Sequence, residues 1–149
     1  MNLNDEEKVI HTLEGLTLSK FNVEMENLDL FDENSLVARL RKNHDLTGVH
    51  IKVIDALKKY INREENPEFH GDKNRRATYE EYGSPYYAEF YNPHLTIAHV
   101  NPEIFGYISF NPDYFKGKGW LVSEFYLSKK ESDGWKTVRK LSLKQVEPE

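Results

Sequence analysis

Apolar positions recur along the first half of the chain with two different periods. Leu46, Val49, Val53, Leu57, Tyr60 and Ile61 follow spacings of three and four, which predicts an amphipathic helix over 46–61 that packs on a sheet. Before it, the pairs Leu16 and Leu18, Val23 and Met25, and Leu28 and Leu30 alternate with other residues. Asp32-Glu33-Asn34 then separates this stretch from Ser35 to Lys42, so two antiparallel strands are expected. In the second, Leu36, Ala38 and Leu40 fall on one face and Val37, Arg39 and Arg41 on the other. At the start, Asn4 or Asp5 can cap a short helix running through Leu13, with acidic residues in its first turn and Gly15 as its stop.

The second half is less regular. Arg63 to Pro85 mixes Glu, Asn, Pro, Gly and Arg without a sustained period, and reads as a long loop insert at about 63–86, a lid or a disordered segment. Residues 93–100 read as a strand with Leu95 and Ile97 on one face, buried under helices, and His94 and Thr96 on the other, accessible and concave. After Asn101-Pro102 a helical turn should hold Ile104 and Phe105. Trp120 to Lys129 and Trp135 to Leu143 form a hairpin across Glu131-Ser132-Asp133-Gly134. Phe125 and Leu127 should face the helices, which turns Tyr126 toward a cleft. Together these elements predict one α+β domain over 1–149.

Composition narrows the chemistry. The 149 residues include no cysteine, which removes disulfides, thiolate zinc sites and a thiol nucleophile. No apolar run approaches the ~20 residues of a spanning helix, and Met1 to Lys8 has neither the basic nor the apolar region of a secretory signal. The expectation is a cytoplasmic protein with no membrane partner. A net charge of −5 argues against a general binder of duplex DNA, while leaving room for local basic clusters.

The sharpest local signal is Asn92-Pro93-His94-Leu95-Thr96-Ile97-Ala98. A strand that carries His94 and Thr96 two residues apart presents an imidazole, able to take or give a proton near neutral pH, beside a hydroxyl that donates to a phosphate oxygen. A strand histidine satisfied by a neighbour is the plainer account of the same residue. A second cluster is Asn74-Arg75-Arg76 followed by Tyr79, Tyr82, Tyr86, Tyr87 and Tyr91. Guanidinium forks suit phosphate and tyrosine rings accept stacked bases, so Arg75, Arg76, Tyr87 and Tyr91 are candidate substrate contacts. The alternative is a solvated loop with tyrosines packed on the surface. Arg39 and Tyr126 complete the candidate binding set. Alternation places His99 on the face opposite His94; His11, His44 and His50 fall in or beside helices and read as solvated or core-edge groups, and His70 lies in the loop. No His/Asp/Glu set at ligand spacing accompanies them, so no metal and no cofactor is expected.

Pro-His-Leu-Thr-Ile-Ala at 93–98, preceded by a helix and a long loop and followed by the hairpin of Val-Ser-Glu-Phe-Tyr-Leu and Trp-Lys-Thr-Val-Arg-Lys-Leu-Ser-Leu, resembles the C-terminal part of the 2H phosphoesterase superfamily. That superfamily includes 2'-5' RNA ligase-like proteins and cyclic nucleotide phosphodiesterases. The resemblance implies an α+β fold with antiparallel sheet around a concave cleft and helices outside. Two His-x-Thr/Ser motifs would face each other there, one imidazole acting as base and the other as acid without a metal. His94-Leu95-Thr96 matches the second motif. No other His-x-Thr or His-x-Ser occurs, and the strand that carries the first motif has no counterpart before the first helix. The implied ligand is a nucleotide or RNA with a 2',3'-cyclic, 2'-5'-linked or cyclic-dinucleotide phosphate. The chain would be a phosphodiesterase if a second motif is supplied, and otherwise a non-catalytic nucleotide- or RNA-binding module; a structural or partner-binding domain is the third reading. Absence of the first strand would expose a sheet edge near 16–42, which a homodimer could cover.

Overall fold

A computed structural model describes residues 3–31, 34–60, 73–82, 87–88, 91–101, 103 and 109–145. In chain order the elements are α1 (Leu3–Glu14), β1 (Phe21–Phe31), β2 (Ser35–Leu40), α2 (His44–Leu57) with a 3-10 turn at Lys58–Tyr60, α3 (Lys73–Tyr82), β3 (His94–His99), β4 (Gly119–Val122), β5 (Glu124–Glu131) and β6 (Gly134–Ser142). The fold is α+β, with an antiparallel, curled open sheet. The chain groups into two compact units: Met1–Phe21, Thr47–Tyr91 and Val122–Glu149 form one, and Asn22–Leu46 with Asn92–Leu121 the other.

In the first unit a buried cluster of Val9, Leu13 and Leu141 is surrounded by Leu16, Val53, Leu57, Tyr60, Phe125 and Leu127. The spacing of Val9 and Leu13 on α1 and of Val53 and Leu57 on α2 explains why these helices present one stripe each to the β5–β6 hairpin. Phe125 and Leu127 face that core as alternation requires. Thr12 Oγ1 and Tyr60 Oη lie 3.2 Å apart and tie α1 to the 3-10 turn. α1 begins at Leu3, earlier than a cap at Asn4 or Asp5 would set it, and stops where Gly15 donates its N–H to the carbonyl of His11 at 3.1 Å. α2 is capped by Asn43, whose Oδ1 accepts the N–H of Leu46 at 2.8 Å.

The second unit is built on a four-stranded sheet in the order β3-β2-β1-β4. β1 pairs antiparallel with β2 from Leu28↔Ala38 to Phe31↔Ser35, and β2 pairs antiparallel with β3 from Arg39↔His94 to Ser35↔His99. β1 and β2 are therefore interior strands among the described residues, where the exposed edge was expected near 16–42. That removes the reason given for a homodimer.

Three further expectations are corrected. The insert at 63–86 is not structureless throughout: Lys73–Tyr82 is a helix that buries Thr78, Tyr79 and Tyr82. Burial, followed by the charges of Asp55 and Glu81, pushes the Tyr82 phenol up to about 12. Residues 61–72 and 83–86, which include His70 and Tyr86, lie outside the described residues, as do Asp32, Glu33, Ile104 and Phe105. The strand expected over Trp120–Lys129 is two strands. It breaks at Ser123, β4 joining the four-stranded sheet and β5 pairing with β6. Leu95 and Ile97 are not buried under helices. They are 37% and 46% exposed, because β3 is an edge strand exposed at all six positions.

Candidate functional site

The pairing register decides what shares a face with His94. Cα partners in an antiparallel pair project to the same side of the sheet. His94 lies opposite Arg39 and Thr96 opposite Val37, so imidazole, hydroxyl and guanidinium sit on one face. The register then slips by one residue between Leu36 and Val37, leaving Ile97 without a partner on β2 and placing His99 opposite Ser35. This β-bulge reverses the phase of the strand. His99 therefore shares the face of His94 and Thr96, where simple alternation had put it on the opposite one. Its Nδ1 lies 3.1 Å from Ser35 Oγ.

A network of short bonds fixes Arg39 and His94. Arg39 donates from Nε and Nη2 to Asp29 Oδ2 at 2.8 and 2.6 Å, and from Nη1 to Asn92 Oδ1 at 2.8 Å. The other oxygen of Asp29 accepts the N–H of Leu30 at 2.8 Å. The Arg39 bond first, and the Leu30 bond second, hold the Asp29 carboxyl below its ordinary value. Phe31 touches both groups, its ring 4.8 Å from the Arg39 guanidinium carbon and in edge contact with His94 at a centroid distance of 4.8 Å.

His94 Nδ1 is 2.8 Å from the carbonyl oxygen of Asn92. A carbonyl can only accept, so Nδ1 is the donor in this contact, which leaves Nε2 as the ring nitrogen not engaged by Asn92. Asn92 thus orients both groups, Arg39 through its side chain and His94 through its backbone. Pro93 extends the ladder through its carbonyl, which accepts the N–H of Leu40 at 2.9 Å. Thr96 is exposed beside them. The face therefore offers an imidazole, a hydroxyl and a restrained guanidinium within one stretch of β2 and β3.

The other sequence candidates belong to the first unit. Arg75 is half-buried and Arg76 exposed on α3. Tyr91 stacks on His50, with centroids 3.7 Å apart and planes within 3°, and Tyr87 meets the same ring edge-on at 5.7 Å. His50 Nε2 accepts the N–H of Ala88 at 3.1 Å, which holds Ala88 at a φ of +54°. These tyrosines are thus engaged with an imidazole, and burial pushes the Tyr91 phenol up. Tyr126 is 53% exposed on the hairpin and donates to Glu124 Oε1 at 2.6 Å. Among the described residues no group of three or more His, Asp or Glu side chains is placed to hold a metal.

Sequence reasoning missed Asp29, Phe31, Asn92, Ser35 and the placement of His99. Asn92 stood in the quoted motif, and an Asn-Pro pair opening a strand was the available signal. Asp29 and Phe31 reach the site only through pairing register, which one sequence does not state. No protein-family model matches the chain, and no curated protein matches it.

Proposed function

We propose that the chain binds a nucleotide or RNA end bearing a 2',3'-cyclic, 2'-5'-linked or cyclic-dinucleotide phosphate on the face of β2 and β3. The mode is that of the 2H phosphoesterases its motif resembles. His94 is the proton-transfer group through Nε2, Thr96 donates its hydroxyl to a phosphate oxygen, and the N–H groups of Arg39 beyond those bound to Asp29 and Asn92 meet the other oxygens. The supporting observation is the Asn92 bridge, which restrains Arg39 and His94 on the face that Thr96 shares.

A second reading, a binding module without turnover, is favoured by a different observation. Arg39 is already bonded to Asp29, so little charge remains uncompensated to stabilise a transition state. Calorimetry with product analysis on the three ligand classes separates the two. Products lost in His94→Ala support an enzyme. Binding without products, weakened by Thr96→Ala, supports the module, and no binding by any ligand removes both.

A further inference from the structure

Beyond Arg39 on the same chain lies Arg41, which lines a depression of about 440 Å³ together with Asn22, Glu24, Asn43, Gly119 and Trp120. We propose that this depression is a nucleobase subsite, with Trp120 as the stacking platform and Glu24 as the acceptor for base N–H groups. The assignment rests on the phosphate reading of His94 and Arg39, and it names the part of the ligand that the phosphate face leaves unaddressed.

Close approach of two backbones builds the subsite. A Cβ at Gly119 would overlap the carbonyl oxygen of Val23, so only glycine lets β4 lie against β1 at this point. The next residue, Trp120, is thereby carried beside Asn22 and Glu24, and it stays 40% exposed. A large aromatic side chain left open beside amides and charges is the arrangement that accepts a flat heterocycle.

The polar groups argue for a base and against a phosphate. Arg41 Nη1 is 3.8 Å from Glu24 Oε2 and its Nε is 3.9 Å from Glu26 Oε1, contacts too long for hydrogen bonds. Two carboxylates around one guanidinium repel a phosphate. A carboxylate is nevertheless a good acceptor for paired N–H groups such as N1–H and the exocyclic amine of guanine. Asn43 takes no part in reading the base, since its amide donates to the carbonyl of Asn22 at 3.0 Å and its oxygen caps α2. His94 on β3 and Trp120 on β4 stand on the two edge strands of the sheet, three strand spacings or about 14 Å apart, so the base seated here belongs to a nucleotide next to the one whose phosphate meets His94.

The test uses the full chain carrying Trp135→Phe, which leaves Trp120 as the only indole. Guanosine, guanosine 2',3'-cyclic phosphate, uridine and inorganic phosphate are titrated against its fluorescence, with calorimetry in parallel. The proposal expects quenching by guanosine, weaker quenching by uridine and none by inorganic phosphate. Trp120→Ala should weaken binding of guanosine about tenfold or more, the scale of one base stack. Glu24→Gln should reduce the preference for guanosine over uridine. If guanosine leaves Trp120 fluorescence unmoved while the cyclic nucleotide binds by calorimetry, the subsite is overturned and the phosphate reading stands. If guanosine quenches as strongly as the cyclic nucleotide, and His94→Ala with Thr96→Ala leaves both unchanged, the subsite stands and the phosphate reading falls. No response to any probe overturns both. Should Trp120→Ala fail to fold, Trp120→Phe replaces it, and the quenching series alone decides.

Discussion

The two units differ in whether their polar side chains are joined into a shared network. In the hairpin unit, charges ring an apolar core through long, exposed pairs: Lys129 with Glu6 at 3.4 Å and Arg139 with Glu14 at 3.5 Å. In the four-stranded sheet, Asp29, Arg39, Asn92 and His94 are joined by bonds of 2.6–2.8 Å across three strands. Exposed pairs of the first kind are worth little, typically about 0–1 kcal/mol, because both partners give up rotamer freedom in a high dielectric. A chain of short bonds that shares Asn92 restrains rotamers instead. The contrast separates isolated pairs, among them Tyr126 with Glu124 in the hairpin unit and Arg41 with Glu24 in the sheet unit, from the network around Asn92, and that is the physical reason to look for a site there.

The comparison is broken most severely in the core of the hairpin unit. Leu141 is 8% exposed and central to the apolar cluster, so Leu141→Ala should cost about 2–5 kcal/mol by urea denaturation. Ligand binding at the sheet should survive in whatever fraction stays folded. Arg39→Ala should do the reverse, removing the hydrogen bonds of a charged group, about 1.5–3 kcal/mol by calorimetry of nucleotide binding, with a smaller loss of stability. Equal losses of binding in both variants would erase the distinction.

Legibility followed the same division. α2 was plain because Leu46, Val49, Val53 and Leu57 repeat at helical spacing, although the same pattern runs on into the 3-10 turn at Lys58–Tyr60, and the hairpin core was plain because Phe125 and Leu127 alternate without interruption. α3 was hidden, since its buried positions are Thr78, Tyr79 and Tyr82 among six charged or polar residues in a stretch whose composition reads as loop. The break at Ser123 was hidden because alternation runs smoothly through Leu121, Ser123 and Phe125 while the strand changes sheets. His94 and Thr96 could be paired on one face from spacing alone. His99 could not, because a bulge at Ile97 is a property of the register with β2 and leaves no mark in the periodicity.

Acid titration sharpens the contrast further. Asp29 is held below its ordinary value of 3.8 by Arg39, so its contribution to the folded state is complete above that value and is lost as pH falls through the lower folded value. Asp29→Asn should therefore lower stability at neutral pH, and the difference from the parent should shrink in the acid limb of a circular dichroism titration. A difference that grows toward low pH would contradict the assigned bond. The smallest effect belongs to the rim: Lys129→Ala should change stability by less than about 1 kcal/mol in urea, and that change should fade with added salt.

The most direct test observes the imidazoles themselves. In a nitrogen-resolved NMR titration of the labelled chain with guanosine 2',3'-cyclic phosphate, His94 Nε2 and the Thr96 amide should shift together and saturate at one ligand concentration. Nδ1 should keep the signature of a protonated nitrogen bonded to Asn92. Shifts confined to His11 or His50, or a His94 that keeps its free-state signals while the ligand is bound, would contradict the assignment of the site to this face.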